Sequence, residues 1–214
     1  MVASENSHSG KSIRLFKNPL LERLTHVHPI MPLLVWVPVI VWMFWKASDA
    51  GSLSAGSIAV LGISGTVSWT LFEYLMHRFA FHFEGKNRVS KRLVFLFHGI
   101  HHDDPQDPTR LVMPPAASIL LGWIFYHLFQ LALGPTIIHP FFGGFIAGYL
   151  IYDYTHYAVH HFTPQTSVGR YLKQYHMLHH FVTPEARWGV TSPVWDVVFG
   201  TFARTETRKP SPSS

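Results

Sequence analysis

The sequence contains no cysteine and few charged residues. Without cysteine the chain can form neither a disulfide framework nor a metal site built on soft thiolate ligands. Charged residues make up 14% of the 214 residues, against roughly 25% in ordinary soluble domains, whereas hydrophobic residues make up 48%. The 7 Trp, 8 Tyr and 17 Phe make the chain rich in aromatic residues. This balance indicates an integral membrane protein.

Two recognisable motifs are also missing. The N-terminal residues are polar and basic and contain no apolar core, so they are not a signal peptide. No Glu follows the first His of any histidine pair, which excludes the H-E-x-x-H motif of zinc proteases. The formal net charge is +5, but the positive residues are not arranged as a nucleic-acid-binding surface, and we expect no nucleic-acid partner.

Long apolar runs are present instead, and they predict an all-α membrane protein. Each of four runs reaches or exceeds the lower limit of about 17 residues for a membrane span. The predicted spans are residues 29–45, 53–76, 112–133 and 137–155. Residues 1–28 are predicted to form a cytosolic N-terminal segment, 29–203 a single domain and 204–214 a mobile tail. The alternative is a soluble, all-helical core.

The positive charges predict which side of the membrane each segment faces. With four spans, the N-terminal segment, residues 77–110 and everything after His156 fall on one face. These segments hold four, six and six Lys and Arg residues, or 16 of the 17, and leave Lys46 alone on the other face. The positive-inside rule makes the charged face cytoplasmic.

Ten of the 16 histidines form four tight clusters on that same face. Because residues three or four apart share a helix face, four pairs can each converge on one ion. These pairs are His98/His102, His156/His160, His176/His179 and His176/His180. His77 and His82 are five apart, about 140° round an ideal helix, so one of them is expected at or beyond a helix end. His101 completes the set.

Ten imidazoles exceed what a single tetrahedral zinc ion can use and suit two ions of four to six ligands each. Zinc has no redox chemistry and suits hydrolysis, whereas iron with imidazole ligands performs oxygen chemistry. A site at the membrane surface meets lipid alkyl chains, and their C–H bonds react only with an oxidant. We therefore expect two iron ions. Glu73 lies four residues before His77, and Asp153 three before His156. Both carboxylates are predicted to accept the second ring N–H of a metal-bound histidine, the alternative being ordinary helix-end charges.

The ordered histidine motifs resemble the membrane fatty acid hydroxylase superfamily, most closely the fatty acid 2-hydroxylases. Similar features are His77-x₄-His82, His98-x₂-His101-His102, the run Tyr152 to His161, His176-x₂-His179-His180 and the segment Trp195 to Thr201. The resemblance covers roughly residues 29–201 and implies four membrane helices under a cytosolic helical cap that encloses two metals. It implies that the ten clustered histidines are the ligands. The implied reaction is O₂-dependent hydroxylation at C2 of a long-chain fatty acyl group, free or in a sphingolipid.

Many members of this family also carry an N-terminal cytochrome b5 domain with a His-Pro-Gly-Gly haem motif, which is not found in this sequence. Electrons are therefore expected from a separate protein of cytochrome b5 or ferredoxin type and its reductase. Purified protein can carry zinc in place of iron, because zinc binds such ligands more strongly. The expected location is the endoplasmic reticulum membrane of a eukaryote or the cytoplasmic membrane of a bacterium.

Two other functions stay open. Related histidine patterns serve sterol and carotenoid hydroxylases and lipid desaturases, and a mid-chain desaturase would need a deep, kinked and closed tunnel through the cap. A non-enzymatic metal-binding or transport protein would need polar residues along the spans, where the sequence has few. Histidines at the cytoplasmic ends of the spans lie level with lipid carbonyls, which favours C2, the first alkyl carbon there.

Overall fold

A computed structural model describes residues 12–203, and every regular element in that range is helical. The predicted tail 204–214 and residues 1–11 of the predicted N-terminal segment lie outside the described residues. The α-helices are α1 Pro19–Arg23, α2 Met31–Asp49, α3 Ala55–Leu75, α4 Arg88–Val94, α5 Ile100–Asp103, α6 Pro115–Leu133, α7 Pro135–His161, α8 Ser167–Phe181 and α9 Val194–Val198. Two π-helical segments, π1 Met76–Phe81 and π2 Phe95–Gly99, follow α3 and α4 directly.

Helix α7 is the centre of the bundle, and α2, α3 and α6 pack around it. Its contact with α3 is close because glycines face each other. A Cβ atom on Gly65 would lie 1.9 Å from the carbonyl oxygen of Phe141, and one on Gly144 would lie 1.8 Å from that of Gly62. Since no side chain fits into such gaps, these glycines set the distance between the two helices.

Within residues 12–203, three helices are long and apolar enough to cross a membrane: Met31–Asp49, Ala55–Phe81 and Pro115–Leu133. Their outward faces carry exposed side chains such as Leu34, Val60 and Trp123. We also predicted a span at 137–155, but α7 is less hydrophobic on average and is not among these three helices. The physical reason is its position, since fourteen of its 27 residues are buried against other helices and include Gly, Tyr and His. The described residues thus form an all-helical bundle with three candidate membrane spans and one central helix.

The N-terminal segment lies against the segment that carries the first two histidine clusters. Val27 donates its backbone N–H to the carbonyl of Thr109 at 2.7 Å, and Arg110 forms an ion pair with Glu22 at 2.6 Å. Leu15 accepts a hydrogen bond from Arg92 at 2.7 Å. Residues 12–28 therefore lie against the 77–110 segment.

Candidate metal centre

The first histidine pair is placed by a π turn that the sequence analysis did not predict. The backbone N–H of His82 bonds to the carbonyl of His77 at 3.3 Å, a step of five residues. His82 follows the last residue of π1, so the prediction that one member lies at a helix end is correct. The ideal-helix angle of about 140° was the wrong reference, because a π turn brings residues five apart onto one face. His98 lies in the second π segment.

The ten predicted histidines come together as two groups of five at one end of the bundle. Within each group the five ring nitrogens lie within 4.8 Å of one another. The first group is His77, His82, His98, His102 and His179, and the second group is His101, His156, His160, His176 and His180. The two groups are adjacent, since the rings of His102 and His180 stack at 4.1 Å.

Three of the four pairs at helical spacing share a group, whereas His176 and His179 belong to different groups. Four residues along a helix rotate a side chain by about 40°, which keeps His176 and His180 together. Three residues rotate it by about 60° the other way, which turns His179 towards the first group. The spacing shows that these histidines point to the same side of α8. It does not show that the two groups divide that side between them.

Distances between ring nitrogens test whether metal ions fit. Neighbouring Nε2 atoms lie 3.1 Å apart for His77 and His98, 3.1 Å for His98 and His102, and 3.2 Å for His82 and His179. In the second group four separations are 2.9 to 3.0 Å. Two nitrogens at about 2.1 Å from one ion lie about 3.0 Å apart when they subtend about 90°, and about 3.4 Å apart at the tetrahedral angle. Both groups therefore fit an ion with five imidazoles at roughly right angles.

Burial keeps these imidazoles neutral. It lowers the pKa of His82 to about 3 and that of His102 to about 4 in the first group. In the second group burial lowers the pKa of His160 to about 3 and that of His180 to about 2. A neutral imidazole is the form that binds a metal, so both groups are ready as ligands near neutral pH.

The outer contacts of the histidines differ from the prediction. Nδ1 of His77 bonds to the carbonyl of Trp188 at 2.6 Å, and Nδ1 of His179 to that of Ala186 at 2.7 Å. Glu73 does not accept from a histidine, because its Oε1 accepts the backbone N–H groups of Val190 and Thr191 at 2.6 and 2.9 Å. A backbone loop lies between the predicted carboxylate and its histidine.

Asp153 is also buried, and the hydroxyl of Tyr149 donates to its Oδ2 at 3.3 Å. No hydrogen bond between Asp153 and His156 occurs in the described structure, contrary to the prediction. Sequence reasoning missed a further carboxylate, Asp196, which is fully buried and accepts from the backbone of the same loop. Its only signal was its place in the segment Trp195 to Thr201, which carries part of the family resemblance.

Two apolar cavities connect the histidines with the helix bundle. The first, of about 390 Å³, reaches His98, His101 and His156 and is covered by Leu15 and Leu24 of the N-terminal segment.

The second cavity, of about 320 Å³, lies among α2, α3, α6 and α7 and shares Phe81, Phe97 and Tyr152 with the first. Its lining includes Phe125 and Phe72, whose ring centroids lie 4.7 Å apart. A long apolar ligand that enters this path meets both histidine groups at one end.

Comparison with known proteins adds family and reaction class. The fatty acid hydroxylase family model matches residues 62–201. The chain is 37% identical over 193 residues to the dihydroceramide fatty acyl 2-hydroxylase FAH1 of Arabidopsis thaliana, covering 90% of this chain and 81% of that protein. It is 33% identical over 212 residues to the fatty acid 2-hydroxylase of Homo sapiens, covering 90% of this chain and 57% of that protein.

A solved structure, full-length scs7p with only the hydroxylase domain visible, has the same fold. The TM-score is 0.83 at 37% identity, and the match covers 89% of this chain and 72% of that one. The matched family segment contains all ten histidines of the two groups. This chain is therefore an enzyme of the fatty acid hydroxylase family.

Proposed function

We propose that this protein is a di-iron monooxygenase that hydroxylates C2 of a long-chain fatty acyl group, free or in a ceramide-type lipid. The observation that carries the proposal is the position of two five-imidazole groups at the mouth of an apolar path into the bundle. The relatives named above as 2-hydroxylases support the choice of carbon.

The reaction supports iron over zinc, because hydroxylation of a C–H bond needs redox chemistry and zinc has none. Nitrogen separations of 2.9 to 3.2 Å are compatible with either ion, since zinc has no geometric preference of its own. Iron supplies the oxidising chemistry: O₂, two electrons and two protons convert a C–H bond into C–OH and release water. Zinc remains the ion expected to contaminate purified protein.

The protein residues hold the reacting chain in place. His98, His101 and His156 border the first cavity, so an acyl carbon there lies beside both groups. The second cavity receives the apolar tail and excludes water from the site. The polar head stays at the cytoplasmic end, near Arg110 and Thr25 of the cavity wall. Anchored in this way, the lipid presents its carbonyl end to the metals, and C2 is the first alkyl carbon in reach.

The proposal includes α7 as a fourth span and a cytosolic active site. Its 27 residues give a length of about 40 Å, and the hydrocarbon core of a bilayer is about 30 Å thick. Between the end of α3 and the end of α7 the chain crosses the membrane twice, through α6 and α7. The histidines that follow α3 and those at the end of α7 therefore lie on the same side. Single cysteines test this in a chain that has none of its own. An impermeant thiol reagent should label Ser52→Cys in intact cells and Glu84→Cys only after permeabilisation.

Electrons are proposed to come from a separate cytochrome b5- or ferredoxin-type protein. His82, His102 and His180 are the half-buried members of the two groups and give the shortest route from the cytosolic surface.

The test of the reaction is lipid mass spectrometry of cells that express the protein or its His98→Ala variant. Only the wild type should produce acyl chains with a hydroxyl at C2. Products altered beyond C3 would instead support a desaturase or another hydroxylase of this family. Wild-type protein that is fully loaded with metal but leaves lipids unchanged would favour a metal-binding protein without activity.

A further inference from the structure

The loop Ala186–Thr191, here called the carbonyl loop, contacts ligands of the first group only. The Ala186 carbonyl accepts from Nδ1 of His179, and the Trp188 carbonyl accepts from Nδ1 of His77. In the second group, Nδ1 of His160, His176 and His180 is buried without a hydrogen-bond partner among the described residues. The two groups therefore differ in what fixes their rings.

Four successive backbone N–H groups of the carbonyl loop bond to two buried carboxylates. Trp188 donates to Oδ1 of Asp196 at 2.9 Å, and Gly189 donates to Oδ2 at 2.8 Å. The next two, Val190 and Thr191, donate to Oε1 of Glu73. Because an N–H shares its peptide plane with the preceding carbonyl, the bond from Gly189 to Asp196 fixes the carbonyl of Trp188. The Ala186 carbonyl shares its plane with the N–H of Arg187, which donates to the carbonyl of Thr201.

Arg187 gives the carbonyl loop its turn. It is the only non-glycine residue with positive φ in the described chain, at 61°. Such a conformation is unfavourable for a residue with a side chain and persists where surrounding contacts fix it. Its guanidinium donates to Thr183 and, at 2.5 Å, to the carbonyl of Ala203. The turn lies between the two carbonyls that face the first group.

We propose that Asp196 is a positioning residue for the first metal ion, acting through the Trp188 carbonyl of the carbonyl loop on the ring of His77. The proposal rests on the proposed function only in that each histidine group binds an ion. It assigns a role to the Trp195–Thr201 segment and makes the two metal sites unequal. Loss of Asp196 should loosen the first site and leave the second intact.

Asn is a sharp probe at this position, because both carboxylate oxygens of Asp196 accept from backbone N–H groups. In Asp196→Asn the amide NH₂ replaces one of these oxygens. Whichever way the amide is turned, this NH₂ faces a backbone N–H of Trp188 or Gly189, and two donors cannot bond to each other. Thr201→Val is the matched control, since it removes the hydroxyl bond to Oδ1 of the same carboxylate, at 2.8 Å, and keeps both loop contacts.

The experiment measures metal per chain and chelator competition on intact, detergent-solubilised protein. Asp196→Asn should bind one ion as tightly as wild type and the other about 10–100-fold more weakly, as outer-shell changes commonly do. Thr201→Val should resemble wild type. Cobalt substitution adds a spectroscopic readout, in which one of two absorption components should change and the other should stay.

Combining Asp196→Asn with ligand variants identifies the affected site. In a His176→Ala background, which keeps the first site, Asp196→Asn should weaken binding of the remaining ion by the same factor. In a His77→Ala background it should change nothing.

Equal weakening of both sites, or no weakening, would overturn the proposal. If Asp196→Asn yields no folded protein, Arg187→Gly decides by the same criteria, because glycine accepts the positive φ but releases the loop. A wild type that binds fewer than two ions would instead count against the proposed function.

Discussion

The two histidine groups have the same number and kind of ligand but different supports. The first group is built from π1, π2, α5 and α8, and hydrogen bonds from the carbonyl loop fix two of its rings. The second group takes two ligands from the long central helix α7 and two from α8. Its rings are held by helix packing. Imidazoles can thus be oriented by outer hydrogen bonds or by the rigidity of the helix that carries them.

The motifs His98-x₂-His101-His102 and His176-x₂-His179-His180 divide their ligands between the two groups in opposite ways. His98 and His102 belong to the first group and His101 to the second, whereas His176 and His180 belong to the second and His179 to the first. Each motif therefore links both sites, and neither site can assemble without both motifs. The comparison predicts that damage to a ligand is local, whereas damage to helix packing reaches both sites.

The largest effect is expected from removal of a ligand at matching motif positions, His98→Ala and His176→Ala. Each variant should lose one ion, and activity should fall by more than the 10–100-fold typical of outer-shell changes. Metal analysis and lipid products measure both outcomes. His28→Asn, at an exposed histidine outside the groups, is the control and should keep two ions. Loss of both ions from either variant would show that the sites are not separable.

The next effect concerns the contact between α3 and α7. In Gly65→Ala the new methyl group would overlap the carbonyl of Phe141, so α7 must move. Overpacking of this kind costs about 1–3 kcal/mol, and the shift should weaken metal binding at both sites. Thermal unfolding and metal content are the measurements. The control on the same helix is Gly56→Ala, where a Cβ would meet only the Ser54 hydroxyl at 3.8 Å, and stability should hold or rise.

Much of this architecture follows from local sequence features. Apolar runs and repeated spacing predicted the helices, the ten histidines and the family, because these signals depend on residues close in the chain. Helix α7 shows where the hydropathy signal weakens, since a buried central helix needs no apolar surface towards lipid. The partner of Glu73 depended on a loop more than 110 residues away. The division of His176 and His179 between two groups depended on the placement of other helices.

Acid should lower the folding stability of the metal-free protein through both histidine groups. The pKa values of His82 at about 3 and His160 at about 3 lie below the value of about 6.5 for a free imidazole. Below about pH 6.5 the unfolded chain therefore binds more protons than the folded chain. The free energy of unfolding has its full value above about pH 6.5 and falls below it. Thermal midpoints of chelator-treated protein between pH 7.5 and 5.5 measure this. A midpoint that rises with acidification would contradict neutral, buried imidazoles.

The smallest effect is expected from Glu73→Gln, although Glu73 holds the same loop as Asp196. Both backbone donors, Val190 and Thr191, bond to one oxygen of Glu73, and only the Thr191 hydroxyl bonds to the other, at 2.6 Å. The glutamine oxygen can keep both backbone bonds, while its NH₂ donates to a hydroxyl that can accept instead. Metal content should stay at two ions per chain, with a smaller loss of affinity than in Asp196→Asn. Glu73→Leu, which removes all three acceptor contacts, should release the first ion selectively. If Glu73→Gln were as damaging as Glu73→Leu, the negative charge rather than the hydrogen-bond geometry would be what the carbonyl loop requires.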